Sequence, residues 1–222
     1  MPQVIVSYDG TRNDRDALAL GRLFARAGAA ISLAYVRHAP ESDPQREAAT
    51  QADAEHLLAV GAGLLDAGNV EQRVIVNSST ADGLASLAGE LGADVIAFGS
   101  SYRTPPGHVD VPHTAELLLD RGIDRSIAIA PAGLRREPVE SSIGTISVYQ
   151  EGEDQGAHAT AASLARALGA VVTAEEADLL VIASRTEAPA GQLLLSATGL
   201  ERVEQAHAPV LLLARGVALS FT

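Results

Sequence analysis

Hydrophobic and polar positions along this chain fall into two alternating patterns. Short apolar runs of four to eight residues without strict alternation read as strands buried on both faces. Between them lie segments with apolar residues at i, i+3, i+4 and i+7, the signature of helices covering a sheet. The strand runs in the first part are Val4–Tyr8, Ile31–Val36, Val70–Val76, Val95–Phe98 and Ser126–Ala130. The helical segments are one carrying Ala17, Leu20, Phe24 and Ala27, a long one over about 45–67, one carrying Leu84, Leu87, Ala88 and Leu91, and one opening at Thr114. Asn13 with Asp16, and Ser79 with Asp82, have capping-box spacing, and Thr114 is the expected N-cap of the fourth helix. Gly28 and Gly68-Asn69 are helix stops. Strands alternating with helices imply parallel pairing through right-handed crossovers.

The stretch 132–142 (AGLRREPVESS) is charged, carries Pro138 and lacks periodicity, so it reads as a linker. Beyond it the pattern returns. TISVYQ at 145–150 echoes VIVSYD at 4–9, ARALGAVVTA at 165–174 echoes ARAGAAISLA at 25–34, ADLLVIAS at 177–184 echoes ADVIAFGS at 93–100, and HAPVLLLARG at 207–216 echoes DRSIAIAPAG at 124–133. Four matches in one order indicate an internal duplication. The second copy lacks counterparts of the second helix, third strand and third helix, which leaves about four strands and two main helices. The expected domains are 1–133 and 143–222. The fold class is α/β, two Rossmann-like or flavodoxin-like parallel-sheet halves, the second reduced.

Composition narrows the chemistry. The 222 residues are 47% hydrophobic with 3% aromatics and no Trp, so the core is aliphatic. All sixteen basic residues are Arg, which excludes a Walker-A lysine and a Schiff-base lysine. The absence of Cys excludes disulfides and thiolate chemistry. A formal charge of −12 argues against nucleic-acid and anionic-membrane partners. The opening MPQVIVSYDG has no charged n-region or long apolar run, and the expected location is the cytoplasm.

The strand at 95–98, its Gly- and Pro-bearing loop and the following helix form the arrangement that holds anions in open α/β sheets. VIVSYDG, the strand ending in Val36, ADVIAFGS and the run GHVDVPHTAELLL together resemble the universal stress protein family, here as a tandem chain. The resemblance covers the whole first half and, in shortened form, the second. It implies a five-stranded parallel sheet of order 3-2-1-4-5. It also implies dimers or pseudo-dimers joined by antiparallel final strands, here Ser126–Ala130 with Val210–Leu213, in addition to a homodimer and an unidentified protein partner. No catalytic residue is implied, and at most slow nucleotide hydrolysis.

Members that hold ATP carry Gly-x2-Gly-x9-Gly-Ser/Thr after the fourth strand, and an Asp after the first that accepts from the adenine amino group. By this resemblance the site for ATP or a related adenine nucleotide comprises Tyr8, Asp9, Val36, Gly99, Ser100, Gly107, His113 and Thr114. The motif is eroded: Tyr102, Pro112 and His113 stand at its later positions, with Gly107 and Thr114 as nearby substitutes. Pro112 has no N–H to offer a phosphate and Tyr102 adds bulk. In the second half Gln150 stands at the Asp position and Ala183 at the first Gly. The alternative is a structural or interaction module of the same fold with no small ligand. An adenylating enzyme is opposed by the missing Ser-Gly-Gly-x-Asp-Ser-type loop and by the lack of Lys. His108-x-Asp110-x2-His113 has side chains suited to zinc, but no metal is assigned, because His113 is better placed for a phosphate or a helix N-terminus. Ser7, Ser100 and Ser101 have no His and acid at triad spacing, so no triad is read.

Overall fold

The computed structural model describes residues 1–136 and 143–222; part of the expected linker, 137–142, lies outside the described residues. The strands are β1 Gln3–Ser7, β2 Ala30–Arg37, β3 Glu71–Val76, β4 Val95–Gly99, β5 Ser126–Ala130, β6 Thr145–Tyr149, β7 Val171–Thr173, β8 Leu179–Ala183 and β9 Val210–Leu213. The helices are α1 Asp14–Arg26, α2 Pro44–Leu65, α3 Thr80–Leu91, α4 His113–Arg121, α5 Gln155–Leu168 and α6 Ala197–Glu204, with a 3-10 turn at Leu134–Arg136.

All nine strands form one sheet of order β3-β2-β1-β4-β5-β9-β8-β6-β7. Within 1–136 every pairing is parallel and the order is 3-2-1-4-5. β5 meets β9 antiparallel, Ile127 opposite Leu212 and Ile129 opposite Val210. From β9 outward β8, β6 and β7 are again parallel. The sheet therefore reverses direction once, at the β5–β9 seam.

The inner strands β4, β5 and β9 lack apolar–polar alternation because both faces are covered. Val4 and Val6 of β1 face a cluster containing Leu20 and Phe24 of α1, Leu58 and Leu65 of α2 and Leu164 of α5. Ile5, between them, faces the other cluster, with Leu84 of α3, Leu118 of α4 and Val203 of α6. α2 lies so close to the sheet that a Cβ at Gly61 would collide with the Tyr8 ring and Leu33. That small residue is what permits the approach.

Helix starts differ from the sequence reading at α1 and α4. Ser79 caps α3 as expected, accepting from the Asp82 N–H at 3.2 Å. Asn13 stands before α1, but its side chain makes no cap bond, because the backbone of 100–101 claims it. Asp16 is drawn away from Asn13 in the same manner, into contacts with residues 133–135. The α4 cap is Pro112, and Thr114 lies inside the helix. Proline tolerates that position because the first helical N–H groups lack intrahelical partners anyway.

Candidate functional site

The carboxyl ends of β2, β1 and β4 lie side by side, where an open α/β sheet forms its ligand crevice. This topology brings Val36, Asp9 and Gly99 to neighbouring strand ends. Asp9 is exposed at the mouth of β1, and its carboxylate accepts the Thr11 N–H at 3.0 Å. Val36 is buried in β2, with the Gly83 backbone close beneath its side chain. Tyr8 is 3% exposed and lies under α2, in the core rather than on a pocket wall.

The turn between β1 and α1 sits directly on the end of β4. A Cβ at Gly99 would collide with the Asn13 carbonyl oxygen. The Asn13 amide group also donates to the carbonyls of Ser100 and Ser101 at 2.7 and 2.6 Å. Gly99 is thus needed for close approach, but what approaches is the protein's own backbone.

The loop after β4 uses most of its donors internally. The Ser100 N–H and hydroxyl both go to the Ala130 carbonyl, and the same hydroxyl accepts from the Asp110 N–H. The Ser101 N–H goes to Asp110, that of Thr104 to Ser101, that of His108 to Pro105 and that of Val109 to Ala206. Gly107 is held away from the crevice, donating to Ala132 at 2.8 Å while its carbonyl lies 3.0 Å from His207 Nδ1. Tyr102 points out, 78% exposed, and does not fill the crevice. His113, exposed at the start of α4, pairs with Glu116 at 3.3 Å, and Thr114 follows it half-buried.

The three metal-capable side chains have different neighbours. The His108 ring stands edge-on to His207 with centroids 4.4 Å apart, Asp110 lies 3.4 Å from the Thr104 hydroxyl, and His113 meets Glu116. Among the described residues no group of three His, Asp or Glu converges.

Two acids, Asp9 and Asp14, interact where β1 turns into α1. Asp14 accepts the Asp9 N–H at 2.7 Å and the Thr11 N–H at 3.2 Å. Burial first, then the hydrogen bond with Asp9 and its charge, push the Asp14 carboxyl up to about 7. Burial works to raise Asp9 as well, but hydrogen bonds from Asp14 and Thr11 outweigh it and hold that carboxyl below its usual range. Burial likewise raises the Tyr8 phenol.

Another cavity lies away from this crevice. A groove of about 1160 Å³ runs along the join of the two halves, between Pro131–Leu134, Ala174–Asp178 and Ala206–Pro209. Of the eight sequence-predicted residues it touches only Gly107. A smaller hollow of about 470 Å³ opens beside Asp9, lined by Gly10, Arg12, Arg15, Arg135 and Arg136. Those arginines were missed in the sequence. TRNDRD at 11–16 and the Arg135-Arg136 pair are visible there, but their meeting is a tertiary event.

A mostly parallel α/β sheet whose first half runs 3-2-1-4-5 defines a Rossmann-like, flavodoxin-like class of architecture. The universal stress protein family model matches residues 1–121, and the chain belongs to that family. A universal stress protein from Archaeoglobus fulgidus DSM 4304 superposes with a TM-score of 0.71 at 14% identity, over 96% of this chain and 98% of its own. A universal stress protein from Pseudomonas aeruginosa UCBPP-PA14 gives 0.61 at 14% identity, over 97% and 94%. At that identity the likeness is one of fold. A universal stress protein solved in complex with cAMP is 24% identical but covers 43% of this chain with a TM-score of 0.38. No curated protein matches the sequence. No described helix is long and apolar enough to cross a membrane.

Proposed function

We propose that this is a tandem universal stress-type protein, with units 1–133 and 143–222, that works without catalysis by associating with protein partners in the cytoplasm. In this reading the crevice at β1 and β4 serves as an internal joint rather than a nucleotide pocket. The observation that carries it is Asn13: its carbonyl occupies the space over Gly99 and its amide ties down Ser100 and Ser101. A phosphate approaching this loop would compete with bonds already made inside the protein. Leaving those partners unpaired costs about 1–3 kcal/mol each.

The test uses adenosine and AMP, which report the base-binding end of the crevice. Isothermal titration of the full chain is expected to give no saturable binding of either. Saturable binding that Asp9→Asn removes would overturn this reading in favour of a second one.

That second reading places ATP or a related adenine nucleotide at Asp9, Val36 and Gly99. It is favoured by the exposure of Asp9 at the strand end. It requires Asn13 to swing aside, so Asn13→Ala would then tighten nucleotide binding.

A further inference from the structure

We propose that the first half carries a polyphosphate site built from arginines of the β1–α1 turn and of the 3-10 turn after β5. This site is separate from the crevice over Gly99, and the inference goes beyond the reading above.

The hollow beside Gly10 is lined by that glycine and by Arg12, Arg15, Arg135 and Arg136, with no carboxylate on its wall among the described residues. The two arginine pairs are more than a hundred residues apart in the chain. Their meeting is fixed by Asp16, which is fully buried and accepts the N–H groups of Gly133 and Arg135 at 2.9 and 2.8 Å. Arg135 also gives one guanidinium nitrogen to Asp16, at 2.6 Å. The other acids of the turn face backbone donors: Asp14 takes the Asp9 and Thr11 N–H groups, and Asp9 takes that of Thr11. The guanidinium groups of Arg12 and Arg136 have no hydrogen bond or ion pair among the described residues.

In a chain of formal charge −12, four arginines gather around one hollow, one of them paired with Asp16. Like charges at close range repel, and an anion between them removes that repulsion. The guanidinium is a planar fork that meets two phosphate oxygens at once. Gly10, at φ +83, supplies a turn without a side chain on the floor. The start of α1 adds its dipole to the same pole. A volume of about 470 Å³ and three or four positive charges suit a compact polyanion with two or more linked phosphates. Inorganic triphosphate and the triphosphate end of a nucleotide share that chemistry.

The experiment is isothermal titration of the full chain with sodium triphosphate and, separately, with ATP, both free of divalent cations. The comparison protein carries Arg12→Gln and Arg136→Gln. Both residues are exposed, so its melting temperature without ligand should match the parent. Arg135 is left intact because its ion pair with Asp16 is structural. Saturable triphosphate binding that weakens at least tenfold in the double variant supports the proposal. Equal affinity for ATP and triphosphate identifies the phosphates as all that is read. A tighter ATP, with the gain lost in Asp9→Asn and the triphosphate affinity unchanged, adds base contacts and supports the proposal together with the second reading above. Absence of saturable triphosphate binding, or binding undiminished in the double variant, overturns it. The adenosine result leaves the triphosphate result free to go either way, so the two readings fail separately.

Discussion

Asp14 sits on a turn where one carboxyl fixes two backbone N–H groups while a second acid stands next to it. Its proton is retained up to about 7 because burial and the Asp9 charge both disfavour the anion. In the unfolded chain the same group ionises near pH 4. Between those values the folded state holds more protons, so this group's contribution is fully present below about pH 4. It is lost as pH rises towards 7 and is constant above. Asp14→Asn keeps an oxygen to accept from Asp9 and Thr11 but cannot ionise. The melting temperature of the parent should therefore fall relative to the variant as pH rises from about 5 to 7.5. Taking the difference between parent and variant isolates this one carboxyl. Asp9 is lowered, and Glu47 is pulled to about 2 by its hydrogen bond from Arg37, so those groups act below this window. Parallel curves for parent and variant would dismiss the raised Asp14 carboxyl.

Element by element, strand positions were the legible part. β5 at Ser126–Ala130 and β9 at Val210–Leu213 have the bounds read from the sequence, and their antiparallel pairing follows the resemblance. A doubly buried strand announces itself as an unbroken apolar run, and the helix that covers it by its repeat. Asn13 and Asp16 show what was not legible. Their spacing fits a capping box, yet each side chain is claimed by backbone about 85–120 positions away. Local preference was overridden by a tertiary partner that no short window contains. The same limit hid the arginine hollow and the removal of Gly107 from the crevice. Asp16 makes this testable as the anchor that holds the segment after β5 against α1. Asp16→Ala leaves the N–H groups of Gly133 and Arg135 without acceptors and Arg135 without its partner. A loss of about 3–5 kcal/mol is expected, read by urea unfolding. A loss below about 1 kcal/mol would mean the 3-10 turn holds its place without Asp16.

At the scale of the molecule, the seam between β5 and β9 leaves the halves joined edge to edge, and a sheet seam alone is a narrow hinge. The segment 217–222 adds a tie on the face carrying α1 and α5. Phe221 stacks on Phe24 of α1 with ring centroids 5.9 Å apart and planes 18° from parallel. Its N–H donates to the Ser163 hydroxyl of α5 at 2.7 Å, and its carbonyl accepts from that hydroxyl at 3.1 Å. The Leu219 N–H reaches Thr160 of the same helix at 2.9 Å. Gly28, at φ +86, ends α1 where a side chain would strike the Thr222 carbonyl. One short segment thus bonds to α5 and packs its aromatic ring on α1. Phe221 is 1% exposed, so Phe221→Ala should cost about 3–5 kcal/mol through lost burial and the cavity left behind. Because the ring bridges both halves, the loss should appear in both. Amide exchange should quicken in β1 as well as β6, with one unfolding transition at lower temperature. The control is Val172→Ala on the edge strand β7, where the side chain is 46% exposed and the expected change is within about 0.5 kcal/mol. Faster exchange confined to β6–β9 would show that Phe221 does not tie the two halves together.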